Sequence, residues 1–110
     1  MLEVTSYNRG PVLVVTLSGR VDSSGSKELE AQLLVLIDDE HKDLLLDCSG
    51  VAYISSAGLR IFLMAAKKIK SLSGRIRLGG LQEPVQDVFE ISGFTKLFEI
   101  YASVEEALAS

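Results

Sequence analysis

The 110-residue sequence predicts an α/β fold, a mixed β-sheet of about four to five strands with about four helices mainly on one face. Three observations carry that expectation. Leu44-Leu45-Leu46 is a short apolar run without alternation, the mark of a strand buried on both faces of a helix-covered sheet. Strand-like and helix-like patterns alternate along the chain, with no repeat, linker or low-complexity segment between them. Hydrophobic residues make up 47% and charged residues 24%, the balance of one ordinary domain that buries a core without staples.

Each element follows from its own residues. Leu2, Val4 and Ser6 alternate with Glu3 and Thr5, which predicts a half-exposed first strand. Asn8-Arg9-Gly10-Pro11 has the composition of a turn, and the β-prone Val12–Ser18 returns as a second strand, making a hairpin. Gly19 to Gly25 reads as a polar loop. It leads to a helix on which Leu29, Leu33, Leu36 and Ile37 keep helical spacing while Lys27, Glu28, Glu30 and Gln32 face water. The buried strand and a small-residue loop come next, then a second helix from about Ala57 to Leu72. Ser73-Gly74 ends it, with Gly74 supplying the left-handed conformation common after a helix C-terminus. Arg75-Ile76-Arg77-Leu78 alternates as an edge or half-covered strand, closed by Gly79-Gly80. Pro84 suits the first position of a third helix that runs to Ser92 and stops at Gly93. Phe98–Tyr101 is a last short strand, and Ser103-Val104-Glu105-Glu106 is a capping box opening a C-terminal helix.

Charge and special residues exclude several classes of function. A formal charge of −4 with scattered basic residues argues against a nucleic-acid binder. The cluster Lys67, Lys68, Lys70 reads as cations complementing a helix C-terminus. Cys48, the lone cysteine, reads as a reduced, inert core thiol. No signal-peptide pattern opens the chain and no apolar run approaches the roughly 20 residues that span a bilayer, so a cytoplasmic protein without membrane insertion is expected.

The most informative stretch is the mouth of the second helix, Ser55-Ser56-Ala57-Gly58-Leu59. It presents serine hydroxyls where free N–H groups and the helix dipole favour added negative charge. Either serine can be a plain helix cap or a phosphorylation switch. Along the helix, Leu59, Phe62, Leu63, Ala66 and Ile69 fall in one arc that faces the sheet. The opposite arc holds Ala57, Ile61, Met64 and Lys68, and apolar residues stacked there suit a partner's groove unless another element covers them.

Catalytic constellations are absent from the sequence. The single histidine, His41, sits in a polar turn, and no Gly-x-Ser-x-Gly elbow surrounds Ser49, Ser55 or Ser56. One His and one Cys make no zinc site, the carboxylates lack metal-loop spacing, and there is no Walker sequence. Asp22 and Asp47 read as capping or helix-dipole acids. No catalytic residue, metal or cofactor is expected.

The run Ile54-Ser55-Ser56-Ala57-Gly58-Leu59, after a strand ending Asp47-Cys48-Ser49-Gly50-Val51, closely resembles the STAS domain, in particular bacterial anti-sigma factor antagonists. Gly19-Arg20-Val21-Asp22 is similar to the family's Gly-x-Leu/Ile-Asp signature, and the resemblance extends over residues 1–110 as one STAS-like domain. It implies a partner switch. The serine two residues before the Gly-Leu pair, here Ser56, is phosphorylated by the anti-sigma factor, itself a serine kinase. The unphosphorylated antagonist binds that kinase and frees a sigma factor for transcription. A PP2C-type phosphatase restores the active form. Many switch members carry Asp directly before the phosphorylated serine; this chain has Ser55, which leaves Ser56 as first candidate and Ser55 as second.

On this reading the partner-binding residues are Asp22, Ser55, Ser56, Ala57, Gly58, Ile61, Met64 and Lys68, and the free protein is a monomer. An alternative is a STAS scaffold or subunit of another signalling or transporter complex without phospho-switching. A third is a nucleotide or small-ligand site at the helix mouth, where backbone N–H groups could hold a phosphate but no lysine adds charge.

Overall fold

The apolar run at Leu44–Leu46 forms the middle of the sheet. The computed structural model describes residues 2–110, and among them five strands assemble in the order β1-β2-β3-β4-β5. β1 (Leu2–Arg9) and β2 (Val12–Val21) make the expected antiparallel hairpin, with Tyr7 opposite Val14. β3 (Asp43–Ile54), β4 (Arg75–Gly79) and β5 (Glu99–Tyr101) follow in parallel, each beside the strand before it. The helices are α1 (Ser23–Leu36), α2 (Ser56–Ser71), α3 (Glu83–Ser92) and α4 (Val104–Ala109), with a 3₁₀ turn at Phe94–Leu97 before β5. Among the described residues, no helix is long and apolar enough to cross a membrane.

Strand alternation divides the core between the two faces. Leu13, Val15, Leu17, Leu44 and Leu46 point to the larger core, covered by Leu29 and Leu33 of α1, Phe62, Ala65 and Ile69 of α2, and Val85 and Phe89 of α3. Val12, Val14 and Leu45 point the other way and meet Ala107 of α4. The triple leucine is therefore buried on both faces, and three helices on one side with one on the other match the expected architecture. Phe62, Phe89 and Phe98 meet edge to face, with centroids 5.5 to 6.4 Å apart, a geometry that adds to the roughly 2–3 kcal/mol each large side chain contributes by burial.

Four local expectations are corrected. β2 and β3 do not give way to loops after Ser18 and Val51; they continue to Val21 and Ile54, paired with each other after register shifts between Thr16 and Ser18 and between Gly19 and Arg20. Mutual pairing satisfies backbone groups that separate loops would leave to water. β4 is no edge strand, because β5 pairs along its far side. Its Arg77 is only 1% exposed and lies under α4, with Nη2 2.7 Å from Asp43 Oδ1 and Nη1 donating to the Ala107 carbonyl. After α2 the left-handed residue is Ser73 (φ 57°), not Gly74. Gly74 is needed for space instead, since a Cβ there would lie 2.1 Å from the Lys42 carbonyl oxygen. Finally, α3 begins one residue before Pro84, at Glu83, and ends as expected on Gly93 at φ 78°.

β5 is anchored at the sheet's other edge by an exposed pair. Arg75 Nε donates to Glu99 Oε2 at 2.8 Å, its Nη2 reaches Oε1, and the Tyr101 hydroxyl donates to Oε1 at 2.8 Å. Hydrogen bonding from Arg75, with help from Tyr101, holds the Glu99 carboxyl down at about 2. A depressed carboxylate stabilises the fold above its unfolded pKa and loses that contribution as pH falls toward the folded value. Both side chains are more than a third exposed, so solvent screening keeps the effect under about 1 kcal/mol. Glu99→Gln is expected to lower the unfolding free energy by that amount at pH 7. The gap should close as pH falls from about 5 toward 2, which urea unfolding at stepped pH would resolve.

Candidate functional site

Val21 organises the site. Its carbonyl, at the end of β2, accepts both the Ser55 N–H (2.9 Å) and the Ser55 hydroxyl (3.0 Å). Ser55 Oγ in turn accepts the Gly58 N–H at 3.1 Å and is the N-cap of α2. Directly after Val21, Asp22 caps α1 by accepting the Gly25 N–H at 2.9 Å. The starts of α1 and α2 therefore emerge together at the ends of β2 and β3. The α1 start is complemented by the Asp22 carboxylate, whereas α2 has a neutral serine cap and no acidic residue in its first turn, so its N-terminal dipole end lacks an internal anionic complement.

The two serines are not equivalent in this geometry. Ser55 is half-buried and its oxygen is engaged as donor and acceptor at once. Ser56, the first residue of α2, is exposed. Gly58 fixes how closely α2 sits on the strands. A Cβ on it would lie 2.7 Å from Val21 Cγ1, 2.8 Å from the Val21 oxygen and 2.9 Å from Ile54 Cγ1, so a larger residue would push the helix mouth outward.

Beside the mouth lies a pair that the sequence reading passed over. The Arg20 guanidinium stacks over the Tyr53 ring at 4.3 Å from its centroid, and Arg20 Nε lies 4.0 Å from Asp22 Oδ2. An aromatic ring in the otherwise small-residue stretch Ser49–Ser56 was the available signal. The Gly25 N–H, aided by Arg20, holds the Asp22 carboxyl below its ordinary range and keeps the cap anionic. Asp47 is likewise a local cap, accepting the Ser49 N–H at 3.1 Å and its hydroxyl at 2.7 Å.

The outward arc expected of α2 is displaced. Gly58, Phe62, Ala65 and Ile69 are the buried line, whereas Ser56, Arg60, Lys67 and Lys70 are exposed. Ala57, Ile61, Met64 and Lys68 are half-buried, and Ile61 packs on the main core. They form a seam on one flank of the helix rather than a free face, because the arc that touches the sheet is centred on Phe62 and Ala65 rather than on Leu63 and Ala66. The eight expected partner residues thus divide. Asp22 and Ser55–Gly58 converge at the mouth, while Ile61 and Met64 run away from it and Lys68 lies about 18 Å from Ser56 along the helix axis.

The remaining reactive groups lie apart from this mouth. Cys48 is buried, and burial pushes its thiol well above the ordinary range, away from the reactive thiolate. His41 Nδ1 pairs with Asp38 Oδ1 at 2.9 Å in the α1–β3 connection. Among the described residues, no group of three His, Cys, Asp or Glu side chains is placed to hold a metal ion. The arrangement offers an exposed hydroxyl, Ser56 Oγ, on the first residue of a helix whose N-terminus carries no acid, beside the capped start of α1.

Comparison with known proteins places this geometry. Residues 3–107 match the family model of the STAS domain. The chain is 39% identical over 99 residues to BtrV of Bordetella bronchiseptica, whose name proposes an anti-sigma factor antagonist; the match covers 90% of this chain and 85% of that one. It is 29% identical over 91 residues to the anti-sigma-B factor antagonist of Bacillus subtilis, 83% of each. The phosphorylated form of the Bacillus cell fate determinant SpoIIAA shares the fold, with a TM-score of 0.74 at 18% identity over 99% of this chain and 97% of that one. With the sheet order, the paired helix mouths and a family match over nearly its whole length, this chain belongs to the STAS domain family.

Proposed function

We propose that this chain is a cytoplasmic, non-enzymatic anti-sigma factor antagonist that works by partner switching. In its unmodified form it binds an anti-sigma factor serine kinase through the α1–α2 mouth, and a sigma factor is freed. Phosphorylation of Ser56 ends the complex, and a PP2C-type phosphatase restores it. The observation that carries this reading is the division of labour between the serines, with Ser55 committed to capping α2 and Ser56 exposed beside it. The relatives named as antagonists support the partner class, and the phosphorylated SpoIIAA structure supports phosphorylation as the switch.

The physical logic runs in two parts. A phosphoryl group carries about −1.5 to −2 charge, which the N-terminus of α2 tolerates within the domain. The same charge against a partner's apolar or acidic surface opposes association through desolvation and repulsion. Phosphosite mapping by mass spectrometry on the protein isolated from its native cells, with and without stress, tests the reading. A single phosphoryl group on Ser56 that varies with condition is the expected result. An unmodified Ser55–Ser56 pair under every condition would replace the switch with a constitutive scaffold.

A further inference from the structure

At the other end of α2 from Ser56, a groove of about 670 Å³ opens between the second half of that helix, the start of β4 and the 3₁₀ turn before β5. β5 pairs with β4 only from Arg77 onward, and the groove borders the start of β4 at Arg75 and Ile76, which β5 leaves unpaired. Core residues line it, since Ile69, Ile76 and Phe98 are all buried yet border the opening. Ala66 stands half-buried beside them, and Leu97 is 47% exposed at the rim.

The charge of this groove opposes that of the whole chain. Four of the eleven Lys and Arg residues line it, against one of the fifteen Asp and Glu residues, in a protein of net charge −4. That one carboxylate, Glu99, is already paired with Arg75. Lys67 and Lys70 on α2 and Lys96 on the 3₁₀ turn are exposed and belong to different elements bordering the same opening. The volume lies inside the roughly 300–1,000 Å³ range of small-ligand pockets.

We propose that this groove binds a small amphipathic anion, an alkyl carboxylate whose chain lies on Ala66, Ile76 and Phe98 and whose head is held by Lys67, Lys70 and Lys96. The apolar lining accounts for the chain and the surplus of cations for the head. Ser56 and Lys67 are separated by about 16 Å along the helix axis. The site is therefore distinct from the serine mouth and stands or falls independently of the partner switch.

Titration of the ¹⁵N-labelled protein with octanoate, followed by amide shifts, tests this directly. Saturable shifts are expected at Leu63–Lys70, Ser73–Ile76 and Lys96–Glu99, with the Ser55–Gly58 mouth unmoved. Octan-1-ol should bind at least about fivefold more weakly, because it lacks the charge that the lysines meet. Combined Lys67→Gln, Lys70→Gln and Lys96→Gln should weaken octanoate about tenfold while lowering the thermal midpoint by only a few degrees, the cost of the lost cations near the α2 C-terminus. Ala66→Phe, which fills the groove, should abolish binding with the cations intact. Shifts that scatter over the surface, equal binding of the alcohol, or full affinity in the triple glutamine variant would overturn the proposal. So would selective binding of a synthetic Leu/Glu amphipathic peptide in place of octanoate, which would make the groove a protein-docking surface.

Discussion

Ser56→Asp is expected to lose its anti-sigma factor partner, with affinity falling by roughly 30-fold or more, since a desolvated and unpaired interfacial charge costs about 2–5 kcal/mol. The structure makes this substitution clean. Ser56 is exposed at the first position of α2, whose first turn carries no acid. An aspartate there interacts favourably with the helix dipole, by about 0.3–1 kcal/mol, so the variant should melt no lower than wild type. Lost binding with a preserved thermal midpoint would separate interface repulsion from unfolding. Ser56→Ala should bind within about threefold of wild type yet accept no phosphate from the kinase, because it removes the acceptor without adding charge. Ser55→Ala should remain phosphorylatable at Ser56 while losing about 1 kcal/mol of stability, the usual cost of a lost cap. Calorimetric titration against the purified anti-sigma factor reads the affinities, mass spectrometry after incubation with the kinase reads the phosphoryl group, and urea unfolding reads the stability of Ser55→Ala. Wild-type affinity in Ser56→Asp would sink the switch.

Asp43→Asn is expected to destabilise the fold by about 2–3 kcal/mol, the largest effect foreseen for a conservative substitution in this chain. Arg77 is almost wholly buried, and the Asp43 carboxylate at 2.7 Å is its ion-pair partner. Its other guanidinium contacts are neutral, the Ala107 carbonyl and the Ser110 hydroxyl. Arg77 Nε is buried without a hydrogen-bond partner among the described residues, so the site has little spare compensation. Removing the carboxylate's charge leaves a buried cation beneath α4 without its direct ion-pair partner. Asp43 is itself a third exposed, which places the cost below the 3–5 kcal/mol of a fully buried pair. Adding Arg77→Met should recover most of the loss, because it removes the stranded charge and keeps the apolar stem that packs under α4. Urea unfolding of the two variants decides the matter: equal destabilisation of single and double variants would show that the pair matters through shape rather than charge.

Much of the architecture was legible because it rests on local patterns. The non-alternating Leu44–Leu46 announces a strand covered on both sides, and the two cores on either face of it bear this out. The Gly10 turn, the stop at Gly93 and the Ser103 cap were equally readable, since each depends on the conformational preference of one residue type. What was misread depends on neighbours distant in sequence. Gly19 and Gly50 interrupt otherwise β-prone runs, and only the pairing of Ser18–Val21 with Gly50–Ile54 carries both strands past them. Arg77 looks like the outward residue of an edge strand until α4, about thirty residues on, lies over it and Asp43 comes beside it.

The same division runs through the site. The sequence by itself determined that small residues and two serines stand at the start of α2, because the N-terminal signals of a helix are local and chemical. Only the tertiary structure decided which serine is free. That choice depends on the Val21 carbonyl, which comes from a strand more than thirty residues earlier and draws the Ser55 hydroxyl inward, leaving Ser56 to solvent. It also decided that Ile61 and Met64 form a half-buried seam, since helical periodicity gives the spacing of a face and not the direction in which the sheet lies. Residue preferences are short-ranged and visible in the chain; exposure is a property of everything that packs around a residue, and it is settled only when the distant strands meet.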